Sequence, residues 1–190
     1  MKLHTVLGAA ALLLSAFIGG DHLVLANTSS GTHTLNALSQ VHPTPVTGKG
    51  PGVSPGHCVT WTNGPTDCYA TEAEALYAAS DGRIKLAPGQ TSKDLTDEEL
   101  FGTGSDVRAV LYEHAAYGGA TLSLRGNCGG WNNMLGAWND AVSSARSYTC
   151  GSVTIYWHNN LSGPGLCILP PGISYVGDSM NDMTSSWSVP

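Results

Sequence analysis

Lysine and arginine are scarce, 8 in 190 residues, and they are scattered rather than gathered into a basic stripe. Binding to nucleic acid of any sequence works by Lys and Arg displacing phosphate counterions, so a nucleic-acid partner is not expected. Catalytic signatures are missing too. The chain has no Gly-x-Ser-x-Gly elbow, no His-Glu-x-x-His, no P-loop and no Cys-His pairing in a recognisable context. Its clustered carboxylates, Glu72, Glu74, Glu98 and Glu99, sit where helices are expected to start, and there they favour the helix dipole. The reading is therefore of a non-enzymatic protein. After the first apolar run no stretch is long enough to cross a bilayer. What is present is a net charge of −6, which suits a divalent cation without demanding one.

That first run is short. Lys2 and His4 precede Val6 to Ile18, and Val24-Leu25-Ala26 supplies small residues at the spacing a signal peptidase reads. This is the layout of a secretory signal peptide over 1–26, cleaved after Ala26; the alternative is an uncleaved anchor. A secreted, extracellular address follows, with no membrane in the mature form. In an oxidising compartment the 5 cysteines are expected to pair. Cys58 and Cys68 flank an Asn63-Gly64 turn, which makes a hairpin staple the natural pairing. Cys128 and Cys150 would close a loop, leaving Cys167 over; other pairings stay open.

Residues 27–56 are rich in Ser, Thr, Gly and Pro and read as a disordered linker. Residues 57–105 read as a small disulfide-stapled hairpin and helix region. Cys58 to Thr62 and Thr66 to Tyr69 alternate as two short strands. Thr71 with Glu74 forms a capping box for a helix over 72–79, and Asp81-Gly82 stops it. A second box, Thr96 with Glu99, predicts another turn of helix. The piece is too small to bury much core alone, so it is expected to dock on the following domain or depend on its disulfide. From 107 onward short apolar strands punctuated by Gly, Asn and Pro predict an all-β sandwich or barrel.

Self-similarity carries the most information. Tyr112, His114, Tyr117 and Gly119 recur forty-four residues later as Tyr156, His158, Leu161 and Gly163. Asn139-Asp140-Ala141-Val142-Ser143-Ser144 recurs forty-two residues later as Asn181-Asp182-Met183-Thr184-Ser185-Ser186. The two-residue difference falls in a connecting loop, where deletions are tolerated. Each unit has an aromatic, a tight hairpin with Gly, a strand, and a polar hexapeptide. Neither unit can bury its apolar face alone, so the two are expected to pack as one sandwich.

This pattern resembles the βγ-crystallin superfamily, and within it the microbial calcium-binding branch. Tyr112-Glu113-His114-Ala115-Ala116-Tyr117-Gly118-Gly119 matches the first motif, Leu161 departs from the second aromatic of the second repeat, and both hexapeptides match in full. The likeness covers about 107–189. It implies a βγ-crystallin-type Greek-key sandwich of two repeats, 107–150 and 151–190. It also implies two Ca2+ sites at one end, each taking ligands from both repeats. Asn139, Asp140 and Ser143 offer oxygens in one loop, and Asn181, Asp182 and Ser185 in the other, the hard donors calcium takes. The resemblance adds the backbone carbonyls of Glu113 and Trp157, with those of Ala141 and Met183 beside them. Ser144 and Ser186 read as structural hydroxyls. One carboxylate per hexapeptide implies affinity on the order of 10⁻⁵ to 10⁻³ M. Glu113 adds a nearby carboxylate, so the site containing it is expected to be tighter.

Other readings compete. His114 and His158 suggest a transition metal, although no Cys or second His sits at ligand spacing in either hairpin. The 5 tryptophans suggest stacking on carbohydrate, with core packing the more ordinary role for Trp131, Trp138 and Trp187. The functional expectation is a calcium-stabilised structural or interaction protein. One alternative follows from a resemblance in fold to secreted bacterial metalloproteinase inhibitors, which implies an inhibitor acting through the loop Arg125 to Leu135; another is an antimicrobial or cell-wall-binding protein. A secreted protease or a cell-surface component would then be the partner.

Overall fold

The computed structural model describes residues 42–46, 56–96, 98–99 and 106–190. The segment expected to be a leader, 1–26, lies outside the described residues, as does the segment expected to be a linker, 27–56, apart from 42–46 and Gly56. There the Val46 N–H donates to the Cys68 carbonyl at 2.6 Å, so Val46 lies against the stapled hairpin. Among the described residues no helix is long and apolar enough to cross a membrane.

Among the described residues nine strands form two sheets. The strands are β1 His57–Trp61, β2 Thr66–Tyr69, β3 Val107–His114, β4 Gly118–Arg125, β5 Trp131–Asn133, β6 Ser144–Ser147, β7 Val153–His158, β8 Ser162–Ile168 and β9 Ser186–Ser188. The first sheet runs β2-β1-β4-β3-β6 and the second β5-β9-β7-β8. Each repeat gives three strands to its own sheet and sends one short segment across. β5 of the first repeat pairs with β9 of the second. The segment at Ile173 of the second repeat bridges Ala145 on β6 of the first, through bonds of 2.8 and 3.0 Å. The exchange makes two interlocked Greek keys. The chain is an all-β sandwich of two repeats, as the sequence predicts.

The hydrophobic core lies between the sheets. Ala109, Leu111, Leu122 and Leu124 face Val153, Ile155 and Trp187, with Trp138 and Val142 filling the ends. A second core lies on the outer side of the first sheet, where Val107, Val110, Tyr112 and Tyr148 are covered by residues 57–96.

The covering layer contains the expected hairpin and helix, α1, Glu72–Ala79. Thr71 and Glu74 make the capping box, with bonds of 3.1 and 3.2 Å. Ala75, Leu76 and Ala79 form one buried stripe. Asp81 and Gly82 end the helix with positive φ. The second box is also made, Thr96 N–H donating to Glu99 at 2.7 Å. The hairpin is more than an attachment, because β1 pairs in parallel with β4, Val59 opposite Ser123, and so extends the first sheet. The reason is physical: without that layer Val107, Val110 and Tyr112 would be an exposed apolar face.

Polar contacts hold the layer down. Arg125 donates to the Ala78 carbonyl at 3.1 Å and pairs with Asp81, whose carboxyl it holds below the usual range. The buried Ser92 hydroxyl bonds both Glu72 and the Tyr112 hydroxyl, the latter at 2.8 Å. Burial pushes the Tyr112 phenol up to about 12. Cys58–Cys68 and Cys128–Cys150 are disulfide-bonded, and Cys167 is free and exposed.

Candidate cation site

The two hexapeptides are loops that lead into β6 and β9, and they meet. The Asp140 N–H donates to the Thr184 carbonyl at 3.0 Å, and the Asp182 N–H donates to the Val142 carbonyl at 3.2 Å. Each loop is thus fixed by the fourth residue of the other. Val142 and Thr184 are fully buried, which anchors those carbonyls. Both aspartates take left-handed backbone, φ 60° and 54°, a conformation that Asp and Asn tolerate better than most residues.

The serines tie each loop to its own repeat. Ser143 N–H donates to the Tyr112 carbonyl at 2.9 Å and Ser185 N–H to that of Tyr156 at 2.8 Å. The Ser144 hydroxyl donates to the His114 carbonyl at 2.6 Å and accepts from Tyr117 N–H at 3.1 Å. Ser186 does the same with His158, 2.5 Å, and Leu161, 3.1 Å. Both hairpins close through paired left-handed residues, Ala116 and Tyr117 in one, Asn160 and Leu161 in the other. Leu161 therefore keeps the backbone of the turn although it lacks the ring that Tyr117 lays edge-on against Tyr112 at 5.4 Å.

The sequence-derived oxygen donors gather here in part. The Ser143 hydroxyl donates to the Glu113 carbonyl at 2.7 Å. The Ser185 hydroxyl donates to Asp140 Oδ1 at 3.3 Å, a contact across the repeats. Asn139 and Asn181 each donate an amide N–H to the carboxylate beside them, at 2.6 and 2.7 Å, so the amide oxygen is the atom a cation would meet. Ala141 and Trp157 are half-buried and Met183 is exposed. The Glu113 carboxylate turns to the hairpin backbone, accepting from Ala120 N–H at 3.1 Å, and lies 3.9 Å from the His114 ring.

Among the described residues no three His, Cys, Asp or Glu side chains converge. The histidines of the two hairpins are both exposed. The loop Arg125 to Leu135 is largely built into the sandwich. Arg125 ends β4, Trp131–Asn133 is β5, and the Gly129 N–H donates to the Val189 carbonyl at 2.9 Å. Of the tryptophans, Trp138 and Trp187 are buried in the core. Two contributors to the loops escape sequence reasoning, the carbonyls of Val142 and Thr184. A buried residue at the fourth hexapeptide position was their only signal.

No family model and no curated protein matches the chain. Among solved structures it is similar to a βγ-crystallin domain from Clostridium beijerinckii, with 24% identity over 43% of this chain and 94% of that one, TM-score 0.37. It is similar to one from an archaeon, with 20% identity over 45% and 100%, TM-score 0.38. A domain from Flavobacterium johnsoniae gives 25% identity over 42% and 90%, TM-score 0.36. The two-repeat Greek-key assignment stands on the strand order and the reciprocal loop bonds.

Proposed function

We propose that this is a secreted, non-enzymatic calcium-binding protein whose βγ-crystallin-type domain is stabilised by the cation for a structural or interaction role. Export is supported by the leader-like residues 1–26. One observation carries the calcium reading: the two hexapeptides touch across the repeats, Ser185 Oγ to Asp140 Oδ1 at 3.3 Å, and in the first repeat Ser143 Oγ lies 2.7 Å from the Glu113 carbonyl. Calcium holds its oxygens at about 2.3–2.6 Å, so neighbouring ligands stand about 3 Å apart. Both pairs have that spacing before any ion enters.

One clamp then comprises the carbonyl of Glu113 and the hydroxyl of Ser143 with Asn181 and Asp182. The other comprises the carbonyl of Trp157 and the hydroxyl of Ser185 with Asn139 and Asp140. The carbonyls of Ala141 and Met183 complete the sets. Bound calcium supplies charge neutralisation between the loops, and binding to the folded state alone raises stability by mass action.

The clamp at Glu113 is the tighter. Because its carboxylate already bonds Ala120, the advantage comes from the field of that charge and not from a direct bond. In calorimetric titration with calcium, Asp182→Ala is expected to remove the tighter event and Asp140→Ala the weaker one. Equal losses would contradict the inequality, and no heat from the unaltered protein would remove the reading.

A further inference from the structure

The outer faces of the two sheets differ, and the repeat shows how. On the first sheet that face carries Val110 and Tyr112, and residues 57–96 bury them. The corresponding residues of the second sheet are Thr154 and Tyr156, both only partly buried. The covered face carries the cation Arg146 beside Val110, whereas the other face has an uncharged hydroxyl, Thr154, at the position of Val110. The strands β5, β7, β8 and β9 contain no Asp, Glu, Lys or Arg at all, in a chain of net charge −6.

Strand register places the side chains. Trp131 pairs with Ser188, and Ser188 with Thr154, so the three stand in one row. Tyr156 lies in the next row of the same face, opposite Gly165. A Cβ on Gly165 would come within 3.0 Å of one edge of the Tyr156 ring, so the glycine leaves room for that ring on the β8 side. The Tyr156 hydroxyl is 3.4 Å from that of Ser188. Neither Trp131 nor Tyr156 packs against either core. The Cα atoms of the two residues stand about 10 Å apart across the strands and about 7 Å along them.

We propose that this face binds a neutral β-1,4-linked polysaccharide, with Trp131 and Tyr156 as stacking platforms and the hydroxyls of Thr154 and Ser188 bonding the sugar between them. Equatorial hydroxyls leave such sugars with flat C–H faces that lie on aromatic rings, while the ring edges need uncharged donors and acceptors. A second protein would find few aliphatic groups here. An anionic polymer would find no cation on these strands. The inference does not rest on the calcium reading.

The test is retention of the full chain on microcrystalline cellulose and on chitin, each in calcium and in chelator. Saturable retention on at least one is expected in both buffers. Trp131→Ala and Tyr156→Ala should each weaken it about tenfold, one stacked ring being lost in each. Trp131→Phe should keep most of it. Thr154→Arg, at a partly exposed position, should weaken it with the melting midpoint unchanged. Tyr175→Ala, removing an exposed ring elsewhere, should change nothing. No retention on either polymer, retention equal in all variants, or retention only on lipid vesicles or denatured protein would overturn the proposal.

Discussion

Arg146→Ala is expected to cost about 3 kcal/mol, a large part of the roughly 5–15 kcal/mol that holds a domain folded. Arg146 is a β6 residue, nine-tenths buried. Its Nη1 lies 3.0, 3.2 and 2.8 Å from the carbonyls of Ser92, Lys93 and Leu95. Its guanidinium also sits 5.3 Å from the Tyr148 ring centre. Those carbonyls belong to the end of the covering layer, where the short 3-10 turn Ser92–Asp94 gives the Ser92 carbonyl a backbone donor, the Leu95 N–H at 3.3 Å. Removing the guanidinium takes a charged donor from the buried Ser92 and Leu95 carbonyls, at the price set for hydrogen bonds to a charged group, while relief from burying the cation offsets part of the loss. Arg146→Lys should recover only part, since an ammonium reaches fewer of the three. Urea denaturation gives the size. Limited proteolysis gives the place, because cleavage within 80–96 should accelerate before the sandwich unfolds. A midpoint within 0.5 kcal/mol of the unaltered protein, on the ~0.5 kcal/mol scale of ordinary surface changes, would contradict this role.

Gly172→Ala should be at least as damaging, about 3–5 kcal/mol, through backbone strain and overpacking together. Gly172 has φ +127°, and a Cβ there would sit 2.3 Å from the Ala145 carbonyl oxygen and 2.7 Å from the Arg146 Cα. Both obstacles are backbone, so no side chain can swing aside. The position is where the second repeat crosses to bridge β6 at Ile173, so the substitution pries apart the interlock itself. Gly177→Ala is the control. Gly177 also has positive φ, +84°, with nothing within 4 Å of its would-be Cβ. It should cost only about 1 kcal/mol, the penalty of the conformation alone. Similar losses at the two positions in thermal or chemical denaturation would mean that close approach at Gly172 is unimportant.

The repeat was legible because each of its side chains has a job that no other position can do. Ser144 and Ser186 each join a hairpin to a loop, and Gly119 and Gly163 each turn a chain back, so the same letters return at a fixed offset. The disulfide partners were legible from the hairpin turn and the loop length. The crossing segments were not. β5 has three residues and the Ile173 segment makes a single bridge, too short for alternation to show. The parallel pairing of β1 with β4 was also hidden, since a hairpin pattern reveals only its own partner. Yet β3 held a clue. Ala109-Val110-Leu111-Tyr112 is apolar without a break, the pattern of a strand covered on both faces, whereas Val153-Thr154-Ile155-Tyr156 interrupts it with a hydroxyl. The first repeat announces a covering layer and the second an open face.

Of the candidate site, the oxygen-bearing residues of the two loops could be named from the sequence and their contacts could not. The sequence places Asp140 and Ser185 forty-five residues apart. Only the exchange of segments brings one loop against the other. The direction of the Glu113 carboxylate, toward Ala120 rather than toward the serines, depends on the hairpin geometry and has no sequence signal.

The central claim is that calcium joins the two hexapeptide loops of the folded domain. A thermal melt of the full chain with millimolar calcium and with chelator tests it most directly. With a dissociation constant near 10⁻⁵ M, millimolar calcium adds about 2.7 kcal/mol per site, a shift of several degrees. The account predicts a midpoint that rises with calcium, rises far less with magnesium, and stays fixed when Asp140→Ala and Asp182→Ala are combined. An unchanged midpoint in the unaltered protein would contradict it.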